Sequence, residues 1–175
     1  ILFDKGNLGH RYDENNGFSM VFERHTRIKI FNREALDLAD VFVFHHKSEK
    51  IGEIKATAYN LENGKIVETD LKKDNIFVDK LTKNQFLTKF TIPGVKEGSI
   101  IEYSYTLSNQ GGVGMLDGWE FQQIGVPTIW SEFTASIPTF VQFKKMSQGW
   151  VPFSLAEETL SNLTESITYI QRGQG

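Results

Sequence analysis

Met20-Val21-Phe22-Glu23-Arg24-His25-Thr26-Arg27-Ile28-Lys29-Ile30 decides the class of fold. In an extended chain, alternate side chains point to opposite faces. Phe22, Thr26, Ile28 and Ile30 then share one face, and Glu23, His25, Arg27 and Lys29 share the other. A helix would scatter both sets around its circumference. The run is a strand with one side against a core, and Asp13-Glu14-Asn15-Asn16-Gly17 before it is turn chemistry. Residues 1–11 and 18–31 are therefore expected to form a hairpin.

The same reading extends along the chain. Ile54, Ala56 and Ala58 alternate with Lys55, Thr57 and Tyr59 up to Glu62-Asn63-Gly64-Lys65. Asn-Gly is the pair a type I′ turn prefers, because both central residues need positive φ. Ile66 and Val67 start the return strand. Phe86, Thr88, Phe90 and Ile92 alternate up to Pro93-Gly94, and Lys96-Glu97-Gly98 turns the chain again. Ile101, Tyr103, Tyr105 and Leu107 alternate next. Further strands are expected at Trp119–Ile124, Ile129–Ile137 and Phe140–Met146, with Pro127 and Pro138 at their margins, where a missing N–H does least harm. Arg33–Ala39 and Leu155–Leu160 are ambiguous: each could make a turn of helix, and each is too short for a stable helix alone.

Composition agrees. Ile, Val, Thr and the aromatic residues total 60 of 175, against six alanines. Branched and aromatic side chains suit a pleated surface and lose rotamer freedom in a helix. The expectation is an all-β chain with little helix: a mainly antiparallel, two-sheet β-sandwich of roughly ten or more strands. At about 150 residues per domain, residues 1–175 read as a single domain.

Several function classes are excluded at this level. Net charge is −3, which does not make a basic nucleic-acid footprint or a polybasic membrane anchor. There are no cysteines, hence no disulfide, thiolate zinc site or cysteine nucleophile within this chain. No apolar run approaches the roughly 20 residues that span a bilayer. No signal peptide is present, and Ile1-Leu2-Phe3 with no preceding Met reads as a fragment beginning inside a strand.

Candidate chemistry is sparse. The histidines are His10, His25, His45 and His46. The last two, adjacent on a strand, would face opposite ways and could not ligate one metal together. Asp13–Gly17 fails as a calcium loop, since its fifth and sixth positions are Gly17 and Phe18. Gly111-Gly112-Val113-Gly114 lacks both the later glycine and the helix of a phosphate cradle, and reads as a loop. No Gly-x-Ser-x-Gly elbow occurs. Asn162-Leu163-Thr164 fits a glycosylation sequon. No metal, cofactor or catalytic residue is assigned. Trp119, Trp130 and Trp150, with Tyr59, Tyr103 and Tyr105, are the candidates for stacking against a glycan or lining a peptide groove, set against the core role most aromatics play.

Three segments together carry a resemblance. They are Phe90-Thr91-Ile92-Pro93-Gly94-Val95-Lys96-Glu97-Gly98-Ser99-Ile100-Ile101-Glu102-Tyr103-Ser104-Tyr105, then Trp119-Glu120-Phe121-Gln122, then Ile129-Trp130-Ser131-Glu132-Phe133 closing at Ile137-Pro138. The opening Leu2-Phe3-Asp4-Lys5-Gly6 and Tyr59–Lys65 fit the same pattern. The chain resembles the domain of unknown function that precedes transglutaminase-like domains in exported proteins of Gram-negative bacteria. The resemblance implies an all-β accessory domain, an exported precursor and a periplasmic or cell-surface location. It also implies a partner on the same polypeptide, a downstream transglutaminase-like domain carrying a Cys-His-Asp triad. None of that triad falls on this chain. The expected role is a non-catalytic module that supports, or presents substrate to, the papain-like domain. The rival expectation is a glycan- or peptide-binding module.

Overall fold

The computed structural model describes residues 1–15, 17–110, 118–123, 125–162 and 164–173. They contain twelve strands: β1 (Phe3–Asp13), β2 (Gly17–Lys29), β3 (Asp40–His46), β4 (Glu49–Ile51), β5 (Lys55–Glu62), β6 (Lys65–Asp70), β7 (Ile76–Lys80), β8 (Gln85–Thr91), β9 (Ile100–Gln110), β10 (Trp130–Pro138), β11 (Leu155–Ser161) and β12 (Thr164–Arg172). One sheet has the order β11-β12-β10-β1-β2-β9-β5-β6, with β4 beside β9; the other is β3-β8-β7. β1 and β10 run parallel, whereas β10–β12, β11–β12, β3–β8, β5–β6, β5–β9 and β7–β8 are antiparallel. The all-β, two-sheet, mainly antiparallel architecture expected from the composition is the one the chain adopts. Among the described residues, no helix is long and apolar enough to cross a membrane.

The chain divides into two compact units, residues 1–24 with 108–175, and residues 25–107. In the second unit, Val41 and Val43 of β3 are buried while Phe42 and Phe44 between them are exposed, the period-2 signature of a sheet with one covered face. Ile28, Ile30, Ala39, Ala56, Ala58, Phe90, Ile92, Ile101 and Tyr105 are buried in the same unit. An edge-on ring contact between Phe90 and Tyr103, 6.3 Å apart, joins β8 to β9. The Asn63-Gly64 turn is as expected: Glu62 pairs with Lys65, and φ is 51° at Asn63 and 76° at Gly64.

The segment Pro93–Ser99 is held from β5. The buried Asn60 donates from Nδ2 to the Gly94 carbonyl at 2.9 Å and accepts from Ser99 Oγ at 2.5 Å. Ser99 Oγ accepts in turn from the Lys96 amide at 2.9 Å. Gly94 and Gly98 have φ of 72° and 89°, conformations that side chains with a Cβ resist. The motif residues of this stretch thus specify a turn.

In the first unit, Leu8, Met20, Ala135 and Ile137 form a buried cluster, with Phe22, Phe133 and Val141 packed against it. Three local expectations need correction here. Trp119–Ile124 is not a strand; within its described residues the only ladder contact is an isolated bridge from Gln123 to Val126. Phe140–Met146 is not a strand either. Its alternation is real, but among the described residues no strand pairs with its backbone groups. It crosses the unit as irregular chain anchored by Val141, with Lys145 reaching Glu158 at 2.7 Å. Leu155–Leu160 is strand β11 rather than a helical turn, because β12 pairs along its whole length. Arg33–Ala39 is a 3₁₀ helix, started by Asn32, whose side chain accepts from the Ala35 amide at 3.2 Å.

Candidate functional site

The most organised constellation in the first unit surrounds Trp119. Strand register places Asp4 of β1 beside Ser131 of β10, and Ser131 beside Gln171 of β12. All three are buried, forming a polar row across an otherwise apolar face. Asp4, 1% exposed, is clasped by Arg24 of β2, with Nε donating at 3.0 Å and Nη2 at 2.6 Å. A two-pronged guanidinium–carboxylate bond of this kind is the strong form of the interaction. The indole Nε1 of Trp119 donates to Ser131 Oγ at 3.1 Å, and the Arg24 guanidinium lies 5.2 Å from the ring centre. Gln171 Nε2 donates to the Val151 carbonyl at 2.8 Å.

Around this polar row the aromatics continue. Trp119 stacks on Phe133 at 5.6 Å and meets Phe121 at 6.5 Å; Phe121 meets Phe153 at 5.0 Å, and Phe153 meets Tyr169 at 4.7 Å. Gly6 makes room for the indole, since a Cβ there would stand 2.5 Å from Trp119 Cζ3. Gly6→Ala is expected to push the ring off Ser131 and cost about 1–3 kcal/mol. The measurement is tryptophan emission during urea unfolding; an unshifted spectrum and midpoint would contradict this packing.

The other two tryptophans lie elsewhere. Trp130 and Ser131 are neighbours on β10 and face opposite sides, so Trp130 is on the sheet face away from Trp119. Its Nε1 donates to Glu132 at 3.0 Å, and Arg172 covers its ring at 4.9 Å. Trp150, in the irregular chain before β11, is 100% exposed. The structure therefore joins Trp119 to Phe133 and Phe121, and sets Trp130 and Trp150 apart from it. Of the tyrosines, Tyr105 is buried and Tyr103 packs on Phe90.

In the second unit the charged face of β2 meets β9. Glu102 takes His25 Nε2 on Oε1 at 2.5 Å and accepts from Arg27 Nε on Oε2 at 2.6 Å. Burial, the largest single influence, pushes the carboxyl up. Hydrogen bonds and charge from His25 and Arg27 together outweigh burial and hold it below its ordinary 4.5. A carboxyl lowered in the folded state stabilises the fold above its ordinary value, and that contribution is lost as pH falls through the lowered one. Glu102→Gln is expected to flatten the acid side of the stability profile below pH 4.5. Urea midpoints at stepped pH check this, and parallel profiles for the two proteins would contradict it.

The remaining histidines are dispersed. His10 Nδ1 bonds the Ser136 carbonyl at 3.0 Å. His45 Nε2 lies 3.2 Å from Thr88 Oγ1 and its ring stacks on Phe86, while the exposed His46 bonds Ser48. The two adjacent rings do face opposite ways. Among the described residues, no three His, Cys, Asp or Glu side chains are grouped to hold a metal. Gly111–Gly114 lies outside the described residues, as do Asn16 of the Asp13–Gly17 loop and Leu163 of the sequon.

The Asp4–Arg24 clasp was not anticipated from the sequence. Its signal is present in the opening strand: Arg24 occupies an even position among Met20, Phe22, Thr26, Ile28 and Ile30. A cation on a covered face requires a buried anion, though which one is set by pairing across the sheet.

Fold and site together define an all-β, mainly antiparallel protein with a buried carboxylate–guanidinium pair beside an aromatic cluster. The chain belongs to the family described as a domain of unknown function with a solved structure, DUF3857, which matches residues 17–161. A solved structure with the same fold is a putative protease from Parabacteroides distasonis, with a TM-score of 0.70 at 14% sequence identity. The match covers 98% of this chain and 35% of that one. None of the curated proteins matches the chain in sequence.

Proposed function

We propose that the chain is a non-catalytic accessory module of a longer, exported polypeptide. It supports, or presents substrate to, a papain-like, transglutaminase-like domain elsewhere on that polypeptide, in the periplasm or at the cell surface. The observation that carries this reading is the coverage. Nearly all of this chain corresponds to only 35% of a chain described as a protease, so most of that protein is other sequence. The internal chemistry points the same way. Asp4 is bonded to Arg24, Ser131 to the Trp119 indole and Gln171 Nε2 to the Val151 carbonyl, and the chain has no cysteine to act as a thiol nucleophile.

The test compares the 175-residue chain with the longer polypeptide in amidase, peptidase and transglutaminase assays. Turnover is expected only from the longer form. Reproducible turnover by the shorter chain, abolished by a point substitution within it, would overturn the proposal.

A second reading is favoured by one residue. Trp150 leaves its whole indole in water, the presentation that sugar rings and peptide side chains stack upon. Glycan and peptide panels read by tryptophan quenching test it. Binding lost in Trp150→Ala supports recognition, and no binding by the parent chain removes this reading.

A further inference from the structure

We infer that the outer face of the β3-β8-β7 sheet is the surface on which this module docks against the remainder of its own polypeptide. The inference rests on the reading of the chain as part of a longer protein. In an antiparallel sheet with one face on a core, the solvent face is ordinarily polar. Here Val41 and Val43 point inward, and the residues alternating with them are Phe42, 57% exposed, and Phe44, 67% exposed. Register sets Phe42 beside Lys89 and Phe44 beside Leu87 on β8. On the far side, Lys89 pairs with Phe77, itself 55% exposed, and Leu87 with Asp79. The face thus carries three phenylalanines and Leu87 around Lys89 and Asp79, with Asp40 and Thr91 at its β3 end.

Those two charges are bonded to each other, Lys89 Nζ to Asp79 at 2.6 Å. The pair can be covered without either ion losing its partner, so the centre of the patch is electrically neutral, and Asp40 at its end accepts from the Thr91 hydroxyl. An anionic lipid surface or a nucleic acid would be recognised by free cations, and the lysine at the centre of this patch is committed.

The size of the patch selects the occupant. An aromatic side chain offers about 150–250 Å², so three that are little more than half exposed supply roughly 350 Å². A stable complex between free partners buries about 800 Å² on each. A patch of this size is too small to hold a second copy from dilute solution. A tethered domain reaches an effective concentration in the millimolar range, at which a small apolar contact suffices. In the solved structure of the same fold most of the chain lies outside the matched region, which is the setting such a tethered contact needs.

Hydroxyl-radical footprinting of the 175-residue chain and of the longer polypeptide tests the inference without any substitution. Labelling of Phe42, Phe44 and Phe77 is expected to fall severalfold in the longer form, with Phe31, exposed outside the strands, unchanged. Equal labelling in both forms overturns the inference. So does a dimer of the shorter chain, or its cosedimentation with neutral phosphatidylcholine vesicles, if either is lost in Phe44→Ser while β3–β8 amide protection is retained. Contact and catalysis are read separately. A longer polypeptide that turns over substrate with all three rings fully labelled fails this inference alone, whereas turnover by the shorter chain fails the accessory reading alone.

Discussion

Arg24→Leu is expected to destabilise the first unit by roughly 3–5 kcal/mol, the cost of leaving a buried carboxylate without its counter-ion. Asp4 is almost wholly buried and receives both prongs of the guanidinium, which also lies on the Trp119 ring. Arg24→Lys retains the charge but offers one point in place of a fork, and should recover only part of the loss. Asp4→Leu with Arg24→Leu removes both ions together. It should lie closer to the parent than either single variant, because no unpaired charge is left. All three tryptophans belong to the first unit, so their emission during urea unfolding follows that unit directly. An Arg24→Leu midpoint equal to the parent's, or a double variant as unstable as the sum of the singles, would show that the pair contributes nothing specific.

Asn60→Ala is expected to cost about 2–3 kcal/mol in the second unit, since a buried polar group left without a partner forfeits about 1–3 kcal/mol. Asn60 serves two such groups, the Gly94 carbonyl and the Ser99 hydroxyl, and the latter holds the Lys96 amide. The loss should appear first as faster amide exchange at Lys96, Gly98 and Ser99. Gly98 and Ser99 also bond the backbone of Ile30, so the disturbance should spread to the residue that follows β2. Asn60→Asp keeps the acceptor for Ser99 but places a second oxygen against the Gly94 carbonyl, and should be no better tolerated. Unchanged exchange across 96–99 would show that the glycines alone hold this turn.

Much of the fold was legible because its signals are local. Asn63-Gly64 demands a type I′ turn whatever surrounds it, and alternation from Thr26 to Ile30 assigns a covered face from five residues. The misread segments are those in which local pattern and partner availability diverge. Phe140–Met146 alternates as a strand does, yet among the described residues no strand pairs with it. Leu155–Leu160 has the composition of a helical turn, yet β12 pairs with it end to end. Backbone groups go where partners are, and a single segment does not state where its partners will be.

The candidate site divides along the same line. The sequence by itself determined an all-β chain, its alternating faces, its tight turns and the absence of a cysteine nucleophile, since each follows from side-chain chemistry and short-range sterics. Only the tertiary structure decided that Asp4 meets Arg24, that Trp119 meets Ser131 while Trp130 faces away, and that three phenylalanines share one solvent face. These depend on register between strands far apart in the chain, as when Asp4 lies beside Ser131, 127 positions on. A one-residue slip in such a register would turn every side chain to the other face, and that choice is made by the packing of the whole sheet.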